Sequence, residues 1–258
     1  MTKLAITGKG GVGKTTLAAL LAYLYAEEGR TVIAIDADPD ANLASALGFP
    51  AEITANIIPI AEMKELVAER TGAQPGTMGG FFKINPRVDD IPDRFAGTHR
   101  GIKLLMLGTV QRGGGGCICP ESALLRTLMQ ELLVRRQEVV ILDMEAGLEH
   151  LGRSTAAAVD AFIVVVEPGL RSIQTANSIR QLAQDIGVKR IYIVGNKVRG
   201  EADRDFVYQN LPGYDVIGFL PYDENVIEAD LRGEAVFDLA PALVAEARRI
   251  KSRLCEAV

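Results

Sequence analysis

The chain has 258 residues, with 28 Lys+Arg against 33 Asp+Glu for a formal net charge of −5, 48% hydrophobic and 24% charged residues, and 3 Cys. That apolar fraction is too high for a disordered chain, and the length supports one substantial core. The negative balance argues against general attraction to nucleic acid or anionic membrane, and three cysteines cannot build a disulfide framework.

In chain order, Val/Ile/Leu-rich runs predict strands at 4–7, 32–36, 103–107, 139–143, 161–166, 190–196 and 216–220. Most of these runs are continuous rather than alternating, as strands covered on both faces require. Helix-period segments at 15–28, 121–136, 172–186 and 240–255 lie between or after them. Strands alternating with helices predict an α/β fold: a mostly parallel sheet of about seven or eight strands with helices on both faces. Residues 50–100 break the rhythm with Pro50, Pro59, Pro75, Pro86 and Pro92 and one expected helix near 60–70. No long polar linker flanks them, so they read as an insertion within a single domain spanning 1–258. No run approaches the roughly 18 apolar residues of a membrane span, and residues 1–6 enter a strand pattern without a leader pattern. The expected location is cytoplasmic, where free thiols persist and often bind metal.

The first strand runs into Gly8-Lys9-Gly10-Gly11-Val12-Gly13-Lys14-Thr15-Thr16. This matches G-x-x-x-x-G-K-[ST] between a strand and a helix, the context a phosphate-binding loop requires. Glycines let successive backbone N–H groups turn toward phosphate oxygens, and the helix adds its positive N-terminal end. Lys14 would bridge β- and γ-phosphates of ATP, and the Thr15 hydroxyl would hold Mg²⁺. The competing reading is a Gly-rich turn without a ligand.

Lys9 sharpens the pattern. GKGGVGKT resembles the deviant phosphate loop of the MinD/ParA/nitrogenase iron protein class of ATPases. The resemblance implies that Lys9 crosses a homodimer to the partner's nucleotide, a cation supplied in trans like an arginine finger. Asp36-Ala37-Asp38-Pro39-Asp40 resembles the first switch of that class. By that resemblance Asp38 positions the attacking water, Asp36 helps order Mg²⁺ and its waters, and Asp40 is a further switch residue. Some of these aspartates could instead serve only as turn caps. The apolar run 139–142 ends in Asp143, which would reach Mg²⁺ through water, and Gly147 would let the second switch swing toward the γ-phosphate. Glu145 stands where related partitioning ATPases carry proline, a departure from their pattern. His150 reads as a ligand, a base, or a structural histidine.

Asn196 closes another strand, and its amide could pair with adenine, which offers both donor and acceptor edges. A simple turn residue is the alternative. Pro221-Tyr222-Asp223 resembles the second adenine-contacting segment of the class.

Cys117 and Cys119 follow the glycines at 113–116 and precede Pro120-Glu121, an expected helix start. A helix N-terminus favours the thiolate that binds metal, and in an extended segment residues i and i+2 project to one side. C-x-C supplies two ligands where a closed thiolate site wants four. A two-fold dimer would complete it, because a symmetric interface joins the same patch of both subunits. Square-planar S₄ suits Ni²⁺ and tetrahedral S₄ suits Zn²⁺. Two small buried hydrophobes are the plainer reading. Cys255, late in the last helix, reads as packing.

Taken together, Gly8–Thr16, Asp36–Asp40, Glu62-Met63-Lys64, Cys117–Cys119, Asp143–His150, Glu167-Pro168 and 196–199 resemble the CooC-type accessory ATPases that insert nickel into carbon monoxide dehydrogenase. The resemblance implies a homodimer favoured by ATP and metal, with carbon monoxide dehydrogenase as client. It implies neither nucleic acid nor membrane as partner. Two other readings stay open: an ATP-gated electron carrier with a [4Fe–4S] cluster across the dimer, and a MinD/ParA-like positioning ATPase. The residues at 243, 244, 247, 250 and 254 make an ordinary core stripe, which speaks against a membrane-binding last helix.

Overall fold

The computed structural model describes residues 2–76, 81–108, 119–146 and 153–257. The elements run β1 (Lys3–Gly8), α1 (Lys14–Glu27), β2 (Val32–Asp36), α2 (Leu43–Ala46), α3 (Ala51–Thr54), α4 (Lys64–Thr71), α5 (Ile91–Phe95), β3 (Gly97–His99) and β4 (Ile102–Met106). They continue with α6 (Pro120–Gln130), β5 (Val139–Asp143), α7 (Arg153–Ala156), β6 (Ala161–Val166), α8 (Leu170–Asp185) and β7 (Ile191–Val198). The last are α9 (Glu201–Asn210), β8 (Asp215–Pro221), α10 (Asn225–Arg232), α11 (Val236–Leu239) and α12 (Pro241–Ala257).

The strands form one eight-stranded sheet in the order β3-β4-β2-β5-β1-β6-β7-β8. Every pairing is parallel except β3 against β4. The expected α/β architecture is therefore correct. Residues 50–100 add short helices and end in β3, which extends the sheet by one antiparallel edge strand.

Alternate strand residues feed two cores, because successive side chains point to opposite faces. Leu4 and Ile6 face α1, α11 and α12, whereas Ala5, Ile33 and Ile35 face α4, α6 and α8. Helix α1 is apolar almost all round because α2, α11 and α12 wrap the side it turns away from the sheet. In α12, Leu243, Ala247, Ile250 and Leu254 are at most 1% exposed in that core, and Val244 packs against it. The stripe read from the sequence is thus a packing face. Cys255 departs from its expected role: it is exposed. It sits one residue, about 100° of helix rotation, beyond the buried stripe. No helix among the described residues is long and apolar enough to cross a membrane.

Helix α6 closes in a π-helical turn at Glu131–Arg135. Its terminal carbonyls need donors, and the buried Lys3 ammonium supplies them. Lys3 Nζ donates to the carbonyls of Leu132 at 3.1 Å, Arg136 at 2.8 Å and Glu138 at 2.9 Å. This ties the start of β1 to the end of α6.

Candidate functional site

Parallel strands deliver their loops to one sheet edge, and ligands collect where the strand order reverses. Here that edge gathers the ends of β1, β2, β5, β6, β7 and β8 around the loop at 8–14.

The loop's shape depends on its glycines. Gly11 and Gly13 have φ of 77° and 92°, in the left-handed region that side chains resist. A Cβ on Gly13 would lie 2.0 Å from Asn196 Nδ2. Asn196 braces the loop from β7: its Nδ2 donates to the Val12 carbonyl at 2.7 Å, and its Oδ1 accepts from Lys197 N at 2.8 Å. Lys197 adds a bond from Nζ to the Gly11 carbonyl at 2.6 Å. Gly13→Ala therefore meets both backbone strain and a side chain that cannot withdraw without losing its own bonds. It is expected to cost about 2–4 kcal/mol, read as a lowered unfolding midpoint. An unchanged midpoint would refute this account of the brace.

Lys14 opens α1 and is 6% exposed. Its Nζ lies 3.6 Å from Asp38 Oδ2. Thr15 Oγ1 donates to Asp143 Oδ2 at 2.7 Å. Asp143 and Asp36 are register partners on adjacent strands and are each 1% exposed. The two oxygens of Asp36 accept from the backbone N–H groups of Asp38 at 3.2 Å and Leu43 at 2.9 Å. Asp36 thus also shapes its own loop and caps α2. Asp38 Oδ1 accepts from Asp40 N at 3.1 Å, and Asp40 is exposed.

Burial raises the Asp143 carboxyl to about 7, opposed by the Thr15 hydroxyl and Lys14 and assisted by the Asp36 and Asp38 charges. Burial likewise raises Asp36 to about 6 despite its backbone hydrogen bonds. Asp143 Oδ1 is buried without a hydrogen-bond partner among the described residues. A buried carboxylate oxygen with an open lone pair, beside a threonine hydroxyl, fits a Mg²⁺ ion with its water shell.

These shifts fix the sign of a pH effect. A carboxyl whose folded value exceeds its unfolded one contributes stability below the unfolded value and loses it as pH rises through the folded one. The unliganded protein therefore loses stability from these groups up to about 7, while Mg²⁺ prefers the ionised carboxylates that result. The gain in unfolding midpoint from Mg²⁺ over EDTA, both with ATP, is expected to be larger at about pH 8 than at about pH 5.5. Equal gains would contradict it.

Lys9 stands apart from Lys14. Its Nζ lies 3.5 Å from Glu167 Oε1, and Glu167 Oε2 lies 3.6 Å from Lys197 Nζ. Beyond the loop lies a cleft of about 500 Å³ whose walls include Gly13, Thr16, Asn196, Pro221, Tyr222 and Asp223. All four residues read from the sequence as contacting adenine thus share one cleft beside the phosphate loop. Asn196 has committed one amide hydrogen and one oxygen lone pair, which leaves one of each. The Arg199 guanidinium lies 5.0 Å over the Tyr222 ring and braces that wall.

Cys119 caps α6. Its backbone is extended, its thiol is buried, and Sγ accepts from Ser122 N at 3.4 Å, with the Ser122 hydroxyl 3.1 Å away. Pro120 follows at the first helical position, as expected. Cys117, Gly147 and His150 lie outside the described residues, whereas Glu145 is exposed and its carbonyl accepts from the Thr7 hydroxyl at 2.5 Å.

The nucleotide-binding domain family described as CobQ/CobB/MinD/ParA (CbiA) matches residues 3–236. The carbon monoxide dehydrogenase accessory protein CooC of Rhodospirillum rubrum is 49% identical over 256 residues, 99% of this chain and 97% of that protein. This chain belongs to the CooC group of the MinD/ParA nucleotide-binding family. A second relative of this CooC-group chain, an ATP-binding protein of Methanocaldococcus jannaschii, is 46% identical over 91% of this chain and 90% of its own length. Among solved structures, a putative plasmid partition protein of Borrelia burgdorferi bound to AMPPNP superposes with a TM-score of 0.72 at 16% identity, covering 100% of both chains. That likeness speaks for the fold. The MinD/ParA family makes this a nucleotide-binding protein with ATP and Mg²⁺ as implied ligands.

Sequence reasoning assigned no specific role in this cleft to several of the residues that line it. Thr16 was read only as part of the phosphate loop, Glu167, Lys197 and Arg199 only as part of the stretches that carry the resemblance, and Asp203 not at all. The available signal was positional, since most follow the carboxyl ends of parallel strands.

Proposed function

We propose that this protein is an ATP-dependent metallochaperone that binds nickel at a dimer-interface C-x-C site and delivers it to carbon monoxide dehydrogenase, with ATP hydrolysis opening the dimer. The reading rests chiefly on 49% identity, nearly end to end, to a carbon monoxide dehydrogenase accessory protein. It extends to the whole chain acting as one nucleotide-binding domain in the cytoplasm.

In this reading the amides of 8–16 bind the phosphates, Lys14 spans the β- and γ-phosphates, and Lys9 reaches the partner's nucleotide. Asp38, held by Lys14 until nucleotide arrives, then orients the attacking water. Thr15 and Asp143 hold Mg²⁺, with Asp36 ordering its water. That ion would neutralise charge developing on the transferred phosphoryl group. Asn196 and Pro221–Asp223 hold adenine, while Asp40 and Gly147 lie on the segments that move. Cys117 and Cys119 of two protomers take nickel as cargo, the site also suiting zinc. Nucleotide and metal each bind the dimer better than the monomer, so each strengthens the other.

The test is molecular mass by light scattering and metal content after anaerobic purification, with and without Mg·ATP. The expected result is a doubled mass and about one nickel per two chains. A brown protein carrying iron and sulfide, or an unchanged mass without nickel, would overturn it.

A further inference from the structure

Residues 50–100 build a second concavity, separate from the nucleotide cleft. It is a groove of about 670 Å³ between α3, the 3₁₀ turn Ile60–Glu62, α4 and α5. Ile57 and Leu66 are buried in its floor, with Ile53, Met63 and Phe95 half-buried around them, and Ile58 is 51% exposed at its lip. Its charged lining among the described residues is all exposed: the carboxylates of Glu52, Glu62, Glu65 and Glu69, and one cation, Arg94. Arg94 is already paired with Asp90 at 2.9 Å and lies 5.1 Å over the Phe95 ring. Glu52, Glu62 and Glu65 form no ion pair among the described residues, and Glu69 meets only its neighbour Arg70, at 3.3 Å.

Glu65 and Glu69 stand four residues apart on α4, and Glu62 ends the 3₁₀ turn before it, so like charges gather along one side of the groove. That arrangement weakens a helix in isolation. An apolar floor ringed by exposed charge is the anatomy of a protein interface. A small-molecule pocket instead orients its ligand with buried polar groups, and among the described residues every charged group lining this groove is exposed. The sign of the rim selects the partner.

We propose that this groove docks a partner-protein segment whose apolar side chains are flanked by lysine or arginine. The proposal is independent of nucleotide and metal. The groove wall has a structural link to Cys119: the turn Ile60–Glu62 and α4 share a core with α6, which Cys119 caps.

The probe is a fluorescein-labelled 16-residue amphipathic helical peptide with leucines at i, i+3, i+4 and i+7 and flanking lysines. The control carries glutamates in place of the lysines. Fluorescence anisotropy on the full chain is expected to give at least ~10-fold tighter binding of the basic peptide, weakening with salt. Glu62→Lys/Glu65→Lys should remove the preference, and Ile58→Asp should weaken binding at least ~10-fold. Both variants change exposed residues, and an unfolding midpoint within about 2 °C of the parent confirms an intact fold. Absent binding, equal binding of both peptides, or binding unaffected by either variant overturns the proposal. So does a change in the chain's own association state in Glu62→Lys/Glu65→Lys, since the occupant would then be a second copy.

Discussion

In Lys9→Ala, ATP turnover is expected to fall about 10³-fold while ATP affinity stays within about threefold. The two lysines of the phosphate loop are held differently. Lys14 is 6% exposed and faces Asp38 in the site of its own chain. The Lys9 side chain is 37% exposed and turned to Glu167, so it is available to a second protomer. In the proposed dimer, a cation that met the phosphates only on assembly would stabilise the transition state rather than the ground state, and its loss would appear in kcat. A 10³-fold loss corresponds to about 4 kcal/mol of transition-state stabilisation. Lys14→Ala should differ by losing affinity and turnover together. Steady-state hydrolysis and equilibrium nucleotide binding on both variants separate the roles. Lys9→Ala turnover within about tenfold of the parent would remove Lys9 from catalysis.

The second large effect concerns metal. Cys117→Ser/Cys119→Ser is expected to lower nickel from about one ion per dimer to none by equilibrium dialysis, with ATP binding retained. The serine choice follows from the cap geometry. Cys119 Sγ accepts from Ser122 N at the start of α6, and serine is among the best residues at that position. The substitution therefore removes the sulfur ligand while leaving the helix start intact. Cys119→Ala would confound the result, because it also removes the cap at about 1 kcal/mol. Nickel retained by the double serine variant would place the site elsewhere.

The central strands were legible because both faces of each are covered, so they are apolar without interruption. Val32–Asp36, Val139–Asp143 and Ala161–Val166 match their expected bounds residue for residue. The phosphate loop was legible for a different reason: its chemistry lies in consecutive backbone amides, so one contiguous stretch carries it. Strand β3 was not legible. It has three residues, none buried, and exists because β4 pairs with it. Helix α9 buries only Val207 and so leaves no apolar stripe to read. Cys255 misled because helix period locates a face only approximately, and one residue's rotation separates core from solvent.

Composition and local pattern by themselves determined the α/β class, the phosphate loop and the paired character of Cys117 and Cys119. Each depends on residues close together in the chain. Folding alone decided what those residues meet. Register set Asp36 beside Asp143, and burial raised both carboxyls. Asn196 and Val12 are 184 positions apart in the chain and meet because their strands end at one sheet edge. The acidic groove has the same origin, since its carboxylates become a rim only when α3, α4 and α5 enclose a floor. A charge in a sequence has a sign; its solvation and its neighbours come from the fold.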